Sequence, residues 1–163
     1  MIIVRGNKLS FGNKSYVCAV GKNGFVLDKK EGDLCSPIGE FALRQVFYRA
    51  DKMSAPTTAL PVTAITQNDG WCDAPTNYAY NQLVKLPFEA SHEKLWRDDD
   101  LYDVVVVLGY NDAPIIPYKG SAIFMHIAKP DYAGTEGCIA LKREDLLNVL
   151  AGVENNEKVS IKP

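Results

Sequence analysis

The chain has 163 residues, of which 47% are hydrophobic and 23% are charged, and its formal net charge is -2 at pH 7. This length fits one domain with one hydrophobic core, and the balanced composition excludes a disordered, collagen-like or low-complexity chain. The small net charge and the absence of a long Lys/Arg run argue against a nucleic-acid partner. We therefore predict a single domain over residues 1–163 that binds no nucleic acid.

The N-terminal segment is apolar only over Ile2, Ile3 and Val4. A secretory signal carries roughly 7 to 15 apolar residues, and a membrane-spanning helix needs about 20. We therefore expect a cytoplasmic protein without membrane insertion, or a periplasmic one if a leader has been removed. The cysteines form no Cys-x-x-Cys pair, a pattern typical of free thiols in a reducing compartment. They are Cys18, Cys35, Cys72 and Cys138.

Short β-rich segments separated by turn residues occupy the first half of the chain. Their β-branched and aromatic residues predict strands over residues 2–5, 9–11, 16–20, 25–27 and 40–48. Four prolines interrupt residues 50–88, which predicts loops and short strands there. Residues 91–96 predict a brief helix, because Ser91 is a good N-cap and Glu93 places a negative charge in the first turn.

Two central strands and one helix are predicted in the second half. Residues 102–109 contain an unbroken apolar and mostly β-branched run from Val104 to Leu108, which is typical of a strand buried on both faces. Residues 121–128 predict a second such strand, which carries His126. Leucines at three positions and Gly152 beyond them predict a helix over residues 144–151, and residues 159–161 predict a final strand. The predicted fold class is mainly β (α+β), a sandwich-like mixed sheet with one or two short helices.

The region from His126 to Cys138 can supply the groups that thiol acyl transfer requires, namely a nucleophile, a base and donors for the oxyanion. Eight residues separate His126 from Thr135, enough for a loop that returns beside the strand it left. Gly137 permits close approach of the main chain, so the amide of Cys138 could face the oxyanion. On these residues alone, two alternatives stay open. Cys138 could be a buried apolar residue, and His126 could be a histidine of the core. A zinc site at His92, His126 and the cysteines lacks paired ligand spacing.

A longer pattern resembles a known family. Ser-Ala-Ile-Phe-Met-His at 121–126, followed by Thr-Glu-Gly-Cys-Ile-Ala at 135–140, resembles the signature of the L,D-transpeptidase (YkuD-like) catalytic domain. The segments Gly-Lys-Asn-Gly at 21–24 and Ser-Pro-Ile-Gly-Glu-Phe at 36–41 resemble a strand and a turn of the same family, so the similarity covers nearly the whole chain. The sequence departs from the family pattern at Glu136, where a histidine is usual, and at Ala140, where Asn or Arg is usual. With its short His-to-Cys loop, it resembles a compact, leaderless branch.

The resemblance implies an L,D-transpeptidase-like fold and a peptidoglycan enzyme. Cys138 would be the nucleophile, His126 its base and Gly137 part of the catalytic turn. Cys138 would form a thioester with a stem peptide or muropeptide at the bond before the terminal D-alanine. Because we expect a cytoplasmic protein, we predict water as the acceptor, which gives an L,D-carboxypeptidase that trims tetrapeptides during muropeptide recycling.

Two alternatives to this function stay open, an L,D-transpeptidase that cross-links the cell wall and a non-catalytic muropeptide-binding module. The resemblance implies no metal or organic cofactor, and it makes a carbapenem a possible inhibitor.

Several residues are candidates for substrate binding. We predict contacts from Thr135, Glu136, Trp71, Tyr110 and Asn111, with packing or loop anchoring as the alternative for the aromatic and amide side chains. Glu136 could orient His126 or bind an amine of the substrate. The substrate's terminal carboxylate calls for a cationic partner, and the candidates are Arg49, Lys129, Lys142 and Arg143.

Overall fold

The secondary structure consists of fourteen strands and one helix in a computed structural model that describes residues 1–163. The strands are β1 (Ile2–Arg5), β2 (Lys8–Phe11), β3 (Lys14–Ala19), β4 (Phe25–Val26), β5 (Ser36–Pro37), β6 (Gly39–Tyr48), β7 (Val62–Ala64), β8 (Asp69–Cys72), β9 (Leu83–Lys85), β10 (His92–Lys94), β11 (Val104–Leu108), β12 (Phe124–Ile127), β13 (Ile139–Leu141) and β14 (Lys158–Lys162). The helix α1 (Arg143–Gly152) lies between β13 and β14. It lacks the length and apolar character that crossing a membrane requires.

Nine strands form one mixed sheet that closes on itself. Their order is β11-β12-β13-β3-β2-β1-β14-β6-β7, and β6 pairs with β11 as well. The long strand β6 pairs with β14 through residues 39–42 and with β11 through residues 43–48. Strand β3 likewise changes partner, from β2 to β13. Strands β3 and β6 therefore each run from one part of the closed sheet into the other, as the corner strands of a sandwich do. The predicted mainly β, sandwich-like fold class is confirmed.

The two main clusters of the hydrophobic core lie on either side of β11, and a third, small cluster contains Cys72, Ala79 and Val84. Val104 and Val106 belong to the larger cluster, whereas Val105 and Val107 belong to the smaller one. All residues of β11 are buried, so the unbroken apolar run reflects a strand that is covered on both faces. The helix α1 packs against the larger cluster through Leu146, Val149 and Leu150.

A separate three-stranded sheet, β10-β8-β9, lies beside the smaller cluster. Here the predicted helix over residues 91–96 is wrong, because His92–Lys94 forms β10 and pairs antiparallel with β8. The ladder to β8 satisfies main-chain groups that a single helical turn would leave unpaired. Tertiary pairing therefore outweighs the local N-cap signal of Ser91.

The strand that carries His126 is shorter than predicted, since β12 begins at Phe124 rather than at residue 121. Ala122 adopts a φ of 53°, a left-handed conformation that cannot continue an extended strand. Strand β12 pairs antiparallel with β11 and parallel with β13. This arrangement sets the relative positions of His126 and Cys138.

Candidate active site

The pairing of β12 with β13 places His126 and Cys138 on the same face of the sheet. His126 lies opposite Ala140 in the parallel register, and Cys138 precedes Ala140 by two residues. Side chains two residues apart along an extended chain share a face, so the thiol and the imidazole are diagonal neighbours. Both residues are almost fully buried, with Cys138 8% and His126 7% exposed.

A cavity of about 380 Å³ gives access to both side chains. Thr135 and Glu136 also line it, so the structure brings these two predicted substrate-binding residues together with Cys138 and His126. The volume lies within the usual range of small-ligand pockets, roughly 300 to 1,000 Å³. The cavity is therefore the candidate active site.

The loop before Cys138 is fixed by hydrogen bonds from both sides. Thr135 Oγ1 donates to the carbonyl of Cys138 at 2.6 Å and accepts from the amide of Gly137 at 3.1 Å. Ser36 Oγ donates to the carbonyl of Gly137 at 2.8 Å, and it accepts from the amide of Gly21 at 2.9 Å. The Ser-Pro turn and the Gly21 segment thus hold the nucleophile loop in place.

Gly137 is required at its position for two reasons. Its φ is +136°, and a Cβ there would lie 2.8 Å from the carbonyl oxygen of Cys35. No hydrogen bond within the protein uses the amide of the next residue, Cys138. That amide is available to a developing oxyanion, as we expected from the sequence.

The thiol of Cys138 is held by main-chain groups of the segment before β12. Sγ donates to the carbonyl of Ala122 at 3.2 Å and accepts from the amide of Phe124 at 3.3 Å. Burial raises the pKa of this thiol to about 12, with a further rise from the charge of Glu93. Cys138 is therefore a neutral thiol in this structure, and it needs a base to become a nucleophile.

The imidazole of His126 has the proton distribution that such a base requires. Its Nδ1 lies 2.9 Å from the carbonyl oxygen of Ile127, which can only accept a hydrogen bond. The proton therefore sits on Nδ1, and Nε2 is the basic nitrogen. Burial lowers the pKa of His126 to about 4, so the ring is neutral at physiological pH.

A tyrosine and a carboxyl group form a second polar pair in the cavity. The ring of Tyr102 contacts the His126 ring edge-on, at 5.3 Å between centroids, and its hydroxyl donates to Glu93 Oε1. Burial raises the pKa of Glu93 to about 7, which the hydrogen bond from Tyr102 and the charge of Arg97 partly offset. Glu93 therefore titrates near neutral pH beside the thiol and imidazole. Sequence reasoning missed Glu93 as a site residue, because it assigned this side chain to the first turn of a helix over residues 91–96.

The cavity contains cations that the sequence prediction mostly missed. Of the four candidate carboxylate partners, only Lys129 lines it, together with Lys22, Lys29 and Arg97. Arg49 instead pairs with Asp51 and stacks on Trp96, and Arg143 pairs with Asp103. Lys29 is buried, and its Nζ contacts Asp33 at 2.6 Å and the carbonyl of Cys35 at 2.9 Å.

Three of the residues predicted to bind substrate do not line the cavity, and their side chains contact other parts of the protein. Their role in substrate binding stays a prediction. Trp71 packs edge-on against Phe124 at 5.1 Å between centroids. The hydroxyl of Tyr110 donates to the carbonyl of Lys119. Asn111 bonds to Ile116 and Gly120 across its own loop. These polar groups are already used within the protein, so the aromatic and amide side chains anchor loops here.

The four cysteines are free, and Cys18 and Cys72 are buried as packing residues. No three His, Cys, Asp or Glu side chains converge in an arrangement that could hold a metal ion.

A buried thiol, a neutral imidazole that lines the same cavity and an unused amide next to the nucleophile are the features of a cysteine-dependent acyl-transfer enzyme. The sequence matches the L,D-transpeptidase catalytic domain (YkuD) over residues 1–161. The chain belongs to this family, whose members are cysteine-dependent enzymes that act on peptidoglycan stem peptides. The resemblance found in the sequence is thereby confirmed. No curated protein matches the chain.

Proposed function

We propose that this protein is an L,D-carboxypeptidase, which hydrolyses the bond before the terminal D-alanine of muropeptide tetrapeptides. The observation that supports water as the acceptor is the recessed position of the nucleophile. Cys138 and His126 are 8% and 7% exposed, at a cavity of about 380 Å³. Once a donor peptide fills much of that volume, a water molecule can still reach the thioester. A second stem peptide attached to a polymer would need a cleft of its own.

The second large cavity of the molecule does not supply such a cleft. It has a volume of about 420 Å³ and is lined by Trp71, Asn81 and Phe124, among others. Neither Cys138 nor His126 lines it. An amine bound there would therefore be separated from the acyl-enzyme by the side chains of the smaller hydrophobic cluster.

The proposed reaction has two halves, both of which use the same pair. In the first, the thiol proton of Cys138 moves from the Ala122 carbonyl to His126 Nε2 as Sγ attacks the carbonyl carbon, and the amide of Cys138 donates to the oxyanion. The carbon–nitrogen bond then breaks, and D-alanine leaves with the proton from His126. In the second, His126 takes a proton from water as the water oxygen attacks the thioester. The carbon–sulfur bond breaks, and the thiol is regenerated.

The charges around the cavity suit a substrate with a terminal carboxylate and a free amine on its diamino-acid residue. Lys22 and Lys129 are exposed, line the cavity and form no ion pair within the protein, so they are available to the terminal carboxylate. Glu136 is exposed at the rim, and it likewise has no ion-pair partner. We assign Glu136 to the binding of a substrate amine rather than to the orientation of His126, because Nδ1 of His126 is already held by Ile127.

The test uses purified protein, a disaccharide tetrapeptide and mass spectrometry of the products. Wild type is expected to release tripeptide and D-alanine, and Cys138→Ala to release neither. Glu136→Gln should raise KM several-fold and leave kcat nearly unchanged, since it removes a binding charge. Cys35→Ser is the matched control, because Cys35 is a free thiol that does not line the cavity.

Two outcomes would overturn the proposal. Cross-linked dimer as the dominant product would identify a transpeptidase. Binding of the tetrapeptide without turnover by the wild type would identify a non-catalytic muropeptide-binding module.

A further inference from the structure

The side chain of Asn81 uses its full hydrogen-bonding capacity while it is 7% exposed. Its Oδ1 accepts from Nε1 of Trp71 and from the amide of Ala122, each at 3.0 Å. Its Nδ2 donates to the carbonyl of Tyr110 at 3.0 Å and to that of Asn111 at 2.9 Å. A side-chain amide has two donor hydrogens and one oxygen with two lone pairs, so no capacity is left over. Asn81 therefore joins three separate segments of the chain at one point.

One of these segments contains a residue in an unfavourable backbone conformation. Ala122 has a φ of 53°, and residues other than glycine rarely adopt this left-handed region. Such a conformation persists only where the surroundings hold it. The main-chain amide of Ala122 donates to Asn81 Oδ1, and this hydrogen bond holds Ala122 in its conformation.

The same residue contacts the nucleophile through its other main-chain group. The carbonyl of Ala122 accepts from Sγ of Cys138 at 3.2 Å, and the amide of Phe124 donates to Sγ at 3.3 Å. The conformation of Ala122 determines where its carbonyl points. It therefore also determines the direction in which the thiol proton is held.

We propose that Asn81 is a positioning residue for the nucleophile, which fixes the direction of the Cys138 thiol by holding Ala122 in its left-handed conformation. The inference rests on the proposed function in one respect, that Cys138 is the nucleophile, and it deepens that function by naming what orients the thiol. Asn81 acts through Ala122, since the thiol's two hydrogen bonds go to Ala122 and Phe124.

The proposal predicts opposite effects on thiol ionisation and on catalysis. The Ala122 carbonyl stabilises the protonated thiol, and the Phe124 amide stabilises the thiolate. Loss of the Asn81 contact releases the carbonyl, so the thiol should ionise more readily. It should also attack less efficiently, because it is no longer held in one direction.

The test measures the rate constant for alkylation of Cys138 by iodoacetamide at pH 8, read by mass spectrometry of the peptide that contains Cys138. Below the pKa of the thiol this rate is proportional to the thiolate fraction. In Asn81→Ala the rate constant should rise about 3- to 10-fold, as expected for one lost hydrogen bond. In tetrapeptide cleavage, kcat should fall about 10-fold while KM stays within about twofold. The charged groups nearest the thiol, Glu93, Lys29 and Glu136, are unchanged in this variant.

Trp71→Phe is the matched control, because it removes the other hydrogen bond to the same oxygen of Asn81 and leaves the contact to Ala122. It should keep the wild-type alkylation rate constant. Should Asn81→Ala fail to fold, Asn81→Gly carries the same expectation, since glycine also lacks the side-chain amide and tolerates the φ of 56° at this position.

A folded Asn81→Ala with the wild-type alkylation rate constant would overturn the proposal, as would an equal increase in Trp71→Phe. Alkylation needs no substrate, so these results are independent of whether tetrapeptide is cleaved. Failure of the wild type to cleave it would count against the proposed function alone.

Discussion

The thiol of Cys138 and the imidazole of His126 are both neutral near pH 7, because burial moves the pKa of the thiol up to about 12 and that of the ring down to about 4. A preformed thiolate–imidazolium pair is therefore not the resting state of this site. Proton transfer to His126 must accompany the attack of sulfur on the substrate. The enzyme's pH dependence should show this difference.

The first prediction concerns the acid limb of the pH profile. His126 accepts a proton only when it is neutral, so kcat/KM for tetrapeptide cleavage should fall as the pH drops through about 4. His126→Gln should lower kcat by roughly 100-fold or more at pH 7. An acid limb near pH 6.5 in the wild type would show that the ring titrates as an exposed histidine and would contradict this mechanism.

The second prediction concerns Glu93, whose pKa burial raises from 4.5 to about 7. The folded state holds this proton more tightly than the unfolded state, so the group's contribution to stability is fully present below about pH 4.5 and is lost as the pH rises through about 7. Glu93→Gln removes the ionisation and should raise the free energy of unfolding at pH 8 by roughly 1 to 3 kcal/mol relative to wild type.

Urea unfolding at pH 4.5 and pH 8 measures this effect. The difference between Glu93→Gln and wild type should appear at pH 8 and nearly vanish at pH 4.5. An equal difference at both pH values would mean that packing, rather than ionisation, separates the two proteins.

Among the elements, the short strand β5 supports the nucleophile loop from a distant part of the sequence. Ser36 is 0% exposed, and its hydroxyl connects the amide of Gly21 to the carbonyl of Gly137. Ser36→Ala leaves both main-chain groups unpaired, so the unfolding free energy should fall by roughly 1 to 3 kcal/mol. Cleavage should fall as well, because Gly137 directly precedes the nucleophile.

Chemical denaturation and tetrapeptide cleavage together test the role of Ser36. Ser10→Ala is the matched control, since Ser10 only contacts the exposed hydroxyl of Ser15 and should change neither quantity. Loss of stability with full cleavage in Ser36→Ala would separate this turn from the active site.

The comparison of sequence and structure shows which elements local patterns can predict. The apolar run of β11 and the leucine spacing of α1 identified both elements. Burial on both faces gives a strand a continuous apolar run, and burial of one face gives a helix a periodic pattern. Strand β10 was missed because a three-residue strand has almost no pattern of its own. Its pairing with β8 depends on a partner about twenty residues away.

Active-site residues could likewise be predicted only where they lie close together in the sequence. Cys138, His126, Thr135 and Gly137 lie close together in sequence and form a recognisable motif. Lys29 and Ser36, by contrast, reach the nucleophile loop across about a hundred residues, as in the contact of Ser36 with Gly137. Long-range contacts of this kind leave no short-range pattern. Substrate binding by Trp71 and Asn111 stays a prediction, because an aromatic or amide residue looks the same in sequence whether it binds a ligand or anchors a loop.

At the scale of the whole molecule, the sheet joins both ends of the chain. Strand β1 pairs in parallel with β14, and β14 pairs with β6, so the ring of strands cannot open without losing contacts at both ends. We predict that the protein unfolds as one domain in a single transition. Denaturation followed by far-UV circular dichroism and by tryptophan fluorescence should give coincident curves. Two separate transitions would contradict the prediction of one domain over residues 1–163.

The cytoplasmic location expected from the sequence also stays a prediction, which cell fractionation can check.

The central claim is that Cys138 forms a thioester that water resolves, and one measurement tests it directly. Purified protein is incubated with disaccharide tetrapeptide in ¹⁸O-labelled water, quenched with acid, and analysed by mass spectrometry of both protein and products. The account predicts an acyl adduct on Cys138, absent in Cys138→Ala, and a tripeptide that carries one labelled oxygen in its new carboxylate. Unlabelled cross-linked dimer as the main product, or labelled tripeptide released by Cys138→Ala, would contradict it.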